Sequence, residues 1–386
     1  MAIIKNLKAA ADRLRKAALD REPIILYGDA DLDGVTSVII MQETLRSLGG
    51  NIVRVYFPDR ENDGYGITPK ALKELQHLAP ALLCAMDLGI SNLKEIEEAK
   101  KLGFDVLLID HHVVPDKLPN ADIIVDPKQK GDTYPFKELA ACGLTFRVAE
   151  AILKEKLSSA LRKSLVELAA LGTIADMMVR EADNKEIIEE GMESLEHSWR
   201  PGIRAFFGLR EVEDLRDTAS KAQKMISILN VRDVQEGYPA SFRILSCDSV
   251  REAAAIAEKL LDIHQERKQR TQLLLDEMRT EVAGKKDLPI VFEGGEDVDY
   301  ILLGILSSVL AQEEEKPAFM YRQMKEESVG SVRAPLGQDT VKAMKHCAKY
   351  TIAYGGHPQA SGFRVKNKNL DKFKVCLIEY FENLNE

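Results

Sequence analysis

The sequence predicts an α/β protein in two parts: a larger N-terminal domain on a mainly parallel sheet and a smaller C-terminal α/β domain reached through a long helix. Three observations predict this. Short apolar runs alternate with longer segments of helical periodicity through the first half; residues 249–282 then run without a glycine or proline; and strand–helix alternation resumes after Gly284. Strand–helix–strand alternation is the pattern of a parallel sheet covered on both faces.

The elements follow in order. The opening MAIIKNLKAAADRLRKAALD breaks its apolar positions with charges at helical spacing and has no continuous apolar run of the signal-peptide kind. Residues 24–27 read as a buried strand, and 35–48 as a helix stopped by Gly49-Gly50. Residues 52–57 are rich in β-branched and aromatic side chains, and 81–86, 106–109 and 123–125 are further short apolar runs. Helical segments lie near 91–102, 138–156 and 158–171. From 184 to 238 the sequence is mixed and broken at Pro201-Gly202. Residues 249–282 read as one spacer helix, apolar along its first half and strongly polar at its centre, HQERKQR. After Gly284 come a strand in LPIVFEG, segments at 301–310 and 318–321, a loop YGGHPQASGF, and an amphipathic helix over 370–383. The expected domains are residues 1–195, a connecting region 196–285 with the long helix, and 286–386.

Composition narrows the class. A chain of 386 residues with 45% hydrophobic and 30% charged residues is neither collagen-like, disordered nor a disulfide scaffold. Its formal charge of −9 means that nucleic-acid affinity must come from a local basic groove or from bound metal. One such region is residues 316–350, with seven Lys+Arg against three Asp+Glu. The five cysteines are far apart and form no CxxC, so neither a zinc finger nor a disulfide framework is expected, and a reducing compartment is. The longest apolar stretch, 300–311, is too short for a bilayer and contains Gly304, Ser307 and Ser308. The expectation is a cytoplasmic protein without membrane contact.

Four acidic or histidine clusters directly follow expected strands: Gly28-Asp29-Ala30-Asp31-Leu32-Asp33-Gly34, Asp87-Leu88-Gly89, Asp110-His111-His112, and Asp176. The carboxyl ends of parallel strands face one crevice, so these residues are expected to converge. Singly, an aspartate after a strand is commonly a cap or turn residue, and a histidine pair is commonly structural. The D-x-D-x-D-G run alone could suggest an EF-hand, but the twelfth loop position is Ile40 and the entry is a strand. Together, so many carboxylates with two imidazoles would repel or take up protons unless cations neutralised them. A carboxylate-dominated set without cysteine favours Mn²⁺ or Mg²⁺, and the abundance of ligands suggests two ions that act in phosphoester hydrolysis.

GDADLDGVTS, DLGIS, DHH and GTIAD, in this order, resemble the four motifs of the DHH phosphoesterase superfamily, and YGGHPQASGF resembles the GGH signature of the domain that follows in that family. Within it the chain is most similar to the RecJ-like single-strand exonucleases. The resemblance implies a two-lobed hydrolase of phosphodiester bonds using two divalent ions, Mn²⁺ first and Mg²⁺ as the alternative. It matches Asp31, Asp33, Asp87, His111 and Asp176 to metal ligands, with Asp29 a further one, and His112 to contact with the scissile phosphate. Asp110 joins His112 as a catalytic residue. Arg333 and His357 match nucleic-acid contacts; Gly330-Ser331-Val332-Arg333 reads as a turn where the backbone approaches a phosphate that Arg333 holds, and Gly355-Gly356 as a tight turn completing the substrate site. Lys268 and Arg270, on the spacer helix, read as solvated.

Two departures from the family pattern stand out. Tyr27 occupies the position four before Asp31 where many members have histidine, so Asp29 would take over that ligand's place. No all-β segment follows the GGH region to form the oligonucleotide-binding barrel of longer RecJ enzymes. The expected function is end-dependent hydrolysis of single-stranded DNA, with RNA as a further substrate. The alternatives are a phosphodiesterase of oligoribonucleotides or cyclic dinucleotides, and a non-catalytic replication-complex subunit, against which the intact ligand set argues. Expected partners are single-stranded nucleic acid and replication or repair proteins; the sequence specifies no oligomeric state.

Overall fold

A computed structural model describes residues 3–60, 63–285 and 287–385. Met1 and Ala2 of the opening helical stretch, and Lys286 at the start of the expected last domain, lie outside them. The chain forms two compact units that divide between His264 and Gln265.

The first unit runs α1 (Leu7–Leu19), β1 (Pro23–Gly28), α2 (Leu32–Ser47), β2 (Asn51–Tyr56), α3 (Pro69–Leu75), β3 (Ala81–Met86), α4 (Leu93–Lys101), β4 (Phe104–Ile109), β5 (Ile123–Val125), α5 (Ala141–Leu153) and α6 (Ser159–Ala175). Its sheet has the order β2-β1-β3-β4-β5, with every pair parallel. Alternate residues of each strand enter two different cores. Ile24, Leu26, Leu82, Cys84, Met86, Leu107 and Ile109 meet α1, α2, α5 and α6 on one face. Ile25, Tyr27, Leu83, Ala85, Val106 and Leu108 meet α3 and α4 on the other. Because both faces are buried, the strands read as continuous apolar runs rather than alternating ones.

The region from 182 to 245 folds as α7 (Ala182–Leu195), α8 (Pro201–Phe207), α9 (Arg210–Glu213), α10 (Thr218–Leu229), the small strands β6 (Val234–Gln235) and β7 (Tyr238–Pro239), and α11 (Ala240–Leu245). Ile187, Leu195, Ile203, Phe206, Met225, Ile244 and Leu245 bury into the first unit's larger core. A buried guanidinium ties this region down: Arg200 donates to both carboxylate oxygens of Glu43 at 2.7 and 3.1 Å, to the Leu245 carbonyl and to Ser164. The spacer helix is α12 (Val250–Ala283). Ala253, Ala257, Leu260 and Leu261 pack in the first unit, while Leu275, Met278 and Val282 pack in the second.

The second unit continues with β8 (Val291–Gly295), α13 (Leu303–Glu314), β9 (Ala318–Gln323), β10 (Glu327–Arg333), α14 (Thr340–His346), β11 (Thr351–His357), β12 (Ala360–Lys366) and α15 (Leu370–Asn385). Its sheet has the order β11-β12-β10-β9-β8; only β8–β9 is parallel. Three expectations are corrected here. The Gly330–Arg333 segment is strand rather than turn, and YGGHPQASGF is a hairpin of β11 and β12 rather than a loop. Sequence patterning missed both because glycine and serine carry little strand propensity, and the ladder to neighbouring strands supplies what the residues lack. Thirdly, Cys347 and Cys376 form a disulfide, with Cα atoms 6.0 Å apart. Their 29-residue separation hid it, because only the packing of α15 beside α14 brings them together. Cys84, Cys142 and Cys247 are free.

Candidate functional site

The acidic clusters are set by local structure. Asp31 caps α2, its carboxylate accepting the Gly34 N–H at 3.1 Å, and Asp33 lies in the first turn. A Cβ at Gly34 would lie 2.4 Å from the Asp29 carbonyl oxygen, so glycine permits the close approach that packs this loop onto its helix. Asp33 is anchored at the positive end of α5, accepting from the Ala141 N–H at 2.9 Å and the Cys142 N–H at 2.7 Å. Asp87 follows β3 in the left-handed region, φ 62°, a conformation aspartate tolerates better than most residues. Asp110, His111 and His112 follow β4, whereas Asp176, expected after a strand, instead caps the C-terminus of helix α6.

These residues converge. The ligand atoms of Asp87, His111 and His112 lie within 4.8 Å of one another, as do those of Asp33, His111 and Asp176, and those of Asp29, Asp31 and Asp87. Asp87 and His111 are shared between groups. Nε2 of His111 faces carboxylate oxygens of Asp87, Asp176 and Asp33 at 3.3, 3.6 and 3.8 Å. Donors that share an ion at 2.0–2.2 Å stand roughly 3–3.5 Å apart, so this spacing suits a cation better than direct hydrogen bonds. Nδ1 of His111 is buried without a hydrogen-bond partner among the described residues.

The electrostatics agree. Burial, then repulsion from Asp33 and the other nearby aspartates, holds the Asp87 carboxyl well above its ordinary range. Burial and the charges of Asp33 and Asp31 push Asp176 up to about 7. Burial also raises Asp29 and Asp33, although Arg60 and His111 respectively work against it, and burial lowers His111. Among the described residues the compensating cation is Arg60, whose guanidinium pairs with Asp29 through both oxygens and reaches Asp31 at 2.8 Å. Positive charge is what this cluster lacks, and the residues present fit divalent cations.

Beside the cluster stands a second arrangement. Asp110 accepts from Nδ1 of His112 at 2.8 Å, from the His111 N–H at 2.8 Å and from the Ile90 N–H at 2.9 Å. Burial would raise Asp110, but the His112 hydrogen bond and charge and these backbone donors outweigh it and hold the carboxyl low. The same bond raises His112. The other nitrogen, Nε2, lies 3.2 Å from the Tyr65 hydroxyl. Tyr27, by contrast, is fully buried and donates to the Gly66 carbonyl at 3.0 Å. A cavity of about 540 Å³ adjoins the cluster, lined by Asp31, Phe57, Arg60, Val231, Arg232 and Pro239 among others.

In the second unit the strand register sorts the expected substrate residues. Ser331 pairs with Gly362, which pairs with Gly355; Arg333 pairs with Ala360, which pairs with His357. Paired and alternate residues point the same way, so Ser331, Arg333, Gly355 and His357 share one face of the sheet, and Gly356 belongs to the other. α13 covers this face over β8 and β9, through Ala318 and Met320. Arg333 donates to Ser331 Oγ at 3.3 Å and to the Val332 carbonyl at 2.9 Å, and has no carboxylate partner among the described residues.

Sequence reasoning missed Arg60, Tyr65 and Asp126. Arg60 and Tyr65 lie in a polar loop with no motif to mark them. Asp126 did carry a signal, since it directly follows β5 as the other aspartates follow their strands; it is fully buried, Oδ2 has no hydrogen-bond partner among the described residues, and burial raises it to about 7.

Residues 23–173 match the DHH family, N-terminal domain. The single-stranded-DNA-specific exonuclease RecJ of Bacillus subtilis is 32% identical over 388 residues, which cover 98% of this chain and 48% of that protein. Its Escherichia coli counterpart is 27% identical, over 99% of this chain and 70% of the relative. The chain thus spans about half the length of the Bacillus relative. Among solved structures, exonuclease RecJ bound to manganese superposes with a TM-score of 0.80 at 25% identity, over 98% of this chain and 95% of that one.

Proposed function

We propose that the chain, whose residues 23–173 match the DHH family, N-terminal domain, is a metal-dependent exonuclease that hydrolyses single-stranded DNA from an end. The observation that carries the reading is the meeting of Asp29, Asp31, Asp33, Asp87, His111 and Asp176 in overlapping groups at the carboxyl ends of parallel strands. These six residues would hold two divalent ions, Mn²⁺ before Mg²⁺. When bound, such ions neutralise the carboxylates and polarise a phosphodiester for attack by water.

The chain's own residues do the rest. Asp110 fixes the imidazole of His112, so that Nε2 is turned outward to contact the scissile phosphate and hold a proton there. In the second unit, Ser331, Arg333, Gly355, Gly356 and His357 make up the substrate-binding set, with Arg333 the cation for a phosphate. On this reading residues 1–195 are the catalytic domain, 196–285 connect, and 286–386 hold substrate. No helix among the described residues is long and apolar enough to cross a membrane; a cytoplasmic setting with replication or repair partners belongs to the same proposal.

The test is direct. End-labelled single-stranded DNA, RNA and dinucleotides are incubated with Mn²⁺ and resolved by length, beside blunt duplex and circular single strands. A ladder of shortened DNA products, with the 5′ end as the expected start and circles resistant, supports the proposal. Rapid nicking of circles would defeat end dependence, and exclusive cleavage of dinucleotides would establish a small-substrate phosphodiesterase instead.

A further inference from the structure

The second unit carries an exposed apolar patch that none of these roles uses. Tyr300, Ile301 and Ile305 are 53, 42 and 40% exposed, on a helical turn over Tyr300–Leu302 and the start of α13. The turn is held from beneath. Leu302, Leu303 and Leu306 are buried in one cluster with Ala318 and Met320 of β9, and the Asp299 carboxylate accepts the Ile301 N–H at 3.2 Å. The aromatic ring is therefore presented outward on a rigid support, at little cost in conformational freedom when something packs on it.

The same stretch of helix borders Arg333. A Cβ at Gly304 would lie 3.8 Å from Arg333 Nη2 and 3.9 Å from Ser331 Oγ, so the absence of a side chain there leaves the guanidinium next to the patch. An aromatic ring, two branched apolar side chains and a cation without a carboxylate partner thus occupy one neighbourhood. An apolar protein segment docked here would bury that cation uncompensated. A nucleotide brings a flat base and an anion together.

We propose that Tyr300, flanked by Ile301 and Ile305, is a base-stacking platform for single-stranded DNA whose adjacent phosphate is held by Arg333 and Ser331. The proposal rests on the exonuclease reading and adds to it a residue that grips a base rather than the backbone. Stacking on an aromatic side chain tolerates any base, as a nuclease without sequence preference requires.

The experiment measures binding of fluorescein-labelled thymidine oligomers, and of abasic oligomers of equal length, to the full chain in EDTA. Wild type is expected to prefer the thymidine strand. Tyr300→Ala should weaken it about tenfold, the order of one base–aromatic stack, and leave abasic binding and the salt dependence unchanged. Tyr300→Phe should retain wild-type affinity. If Tyr300→Ala fails to fold, Tyr300→Leu removes the ring but keeps an apolar side chain, with the same loss expected. Unchanged thymidine binding, or equal losses on both oligomers, overturns the platform while the exonuclease reading stands. A wild-type dimer by light scattering that Tyr300→Ala abolishes would assign the patch to a second copy of the chain. Wild type that binds neither oligomer in EDTA would overturn this inference alone, since the exonuclease reading is judged by the hydrolysis test with Mn²⁺.

Discussion

The two five-stranded sheets solve opposite problems. In the first unit all pairs are parallel and both faces are buried, so polar groups collect where the strands end. Asp29, Asp87, Asp110 and Asp126 each follow a strand of that sheet, and their crowding gives a concentrated negative field. In the second unit the sheet is mixed, and one of its faces sets Arg333 and His357 in one register row beside the small residues Ser331, Gly355 and Ala360. One sheet gathers carboxylates and imidazoles at its strand ends; the other holds a guanidinium on a partly covered face. The difference teaches that converging strand ends concentrate charge, whereas an incompletely covered face leaves polar side chains accessible.

Removing the convergence should have the largest effect. Asp87→Ala or His111→Ala should reduce hydrolysis by on the order of 10³-fold, since several kcal/mol of transition-state stabilisation go with the ion they hold. Single-strand binding should change little. Near-wild-type turnover of either variant with Mn²⁺ would break the division of labour.

Stability should report the same crowding. Asp176 rises from an ordinary 3.8 to about 7, and Asp87 rises too, so the folded protein binds protons more tightly than the unfolded chain. Without metal this contribution is fully present below the unfolded value and lost as pH climbs through the folded one. The melting temperature of EDTA-treated protein should therefore fall between about pH 4 and pH 7. Divalent ions bind the charged form and should restore about 2.7 kcal/mol at a hundredfold excess over Kd. Calorimetric melts with and without Mn²⁺ check this, and a pH-independent apo melting temperature would contradict it.

Grip should be separable from chemistry. Arg333→Ala should weaken single-strand binding roughly tenfold and reduce the slope of log affinity against log salt by about one, because one phosphate contact is gone. Mn²⁺ affinity by titration calorimetry should not move. If it did, Arg333 would belong with the metal ligands.

The smallest effect sharpens the boundary within the first unit. Tyr65→Phe removes only the hydroxyl 3.2 Å from His112 Nε2, and should lower kcat several-fold, about 1 kcal/mol, with Mn²⁺ binding intact. A loss as large as that of Asp87→Ala would make Tyr65 part of the metal shell.

The first unit was largely legible from the chain alone. Parallel strands buried on both faces appear as unbroken apolar runs, and β1, β3, β4 and β5 are each followed directly by an aspartate, so convergence followed from topology. The second unit was less so. Ser331, Arg333 and the Gly355-Gly356-His357 run looked like turns because strand formation there depends on cross-strand partners, Gly362 and Ala360, not on their own propensities. The helices between 182 and 245 join the first core although their sequence looks like a connector, since amphipathic faces show what is buried but not against what. Arg60 and Tyr65 reach the site through a loop, and Cys347 meets Cys376 across a helix pair. Local pattern determined which segments are strands and helices where a residue's neighbours in sequence set its burial. Only the tertiary structure decided which charges oppose one another, because Coulomb energy and hydrogen bonding depend on distance in space, which loops of variable path leave unwritten in the sequence.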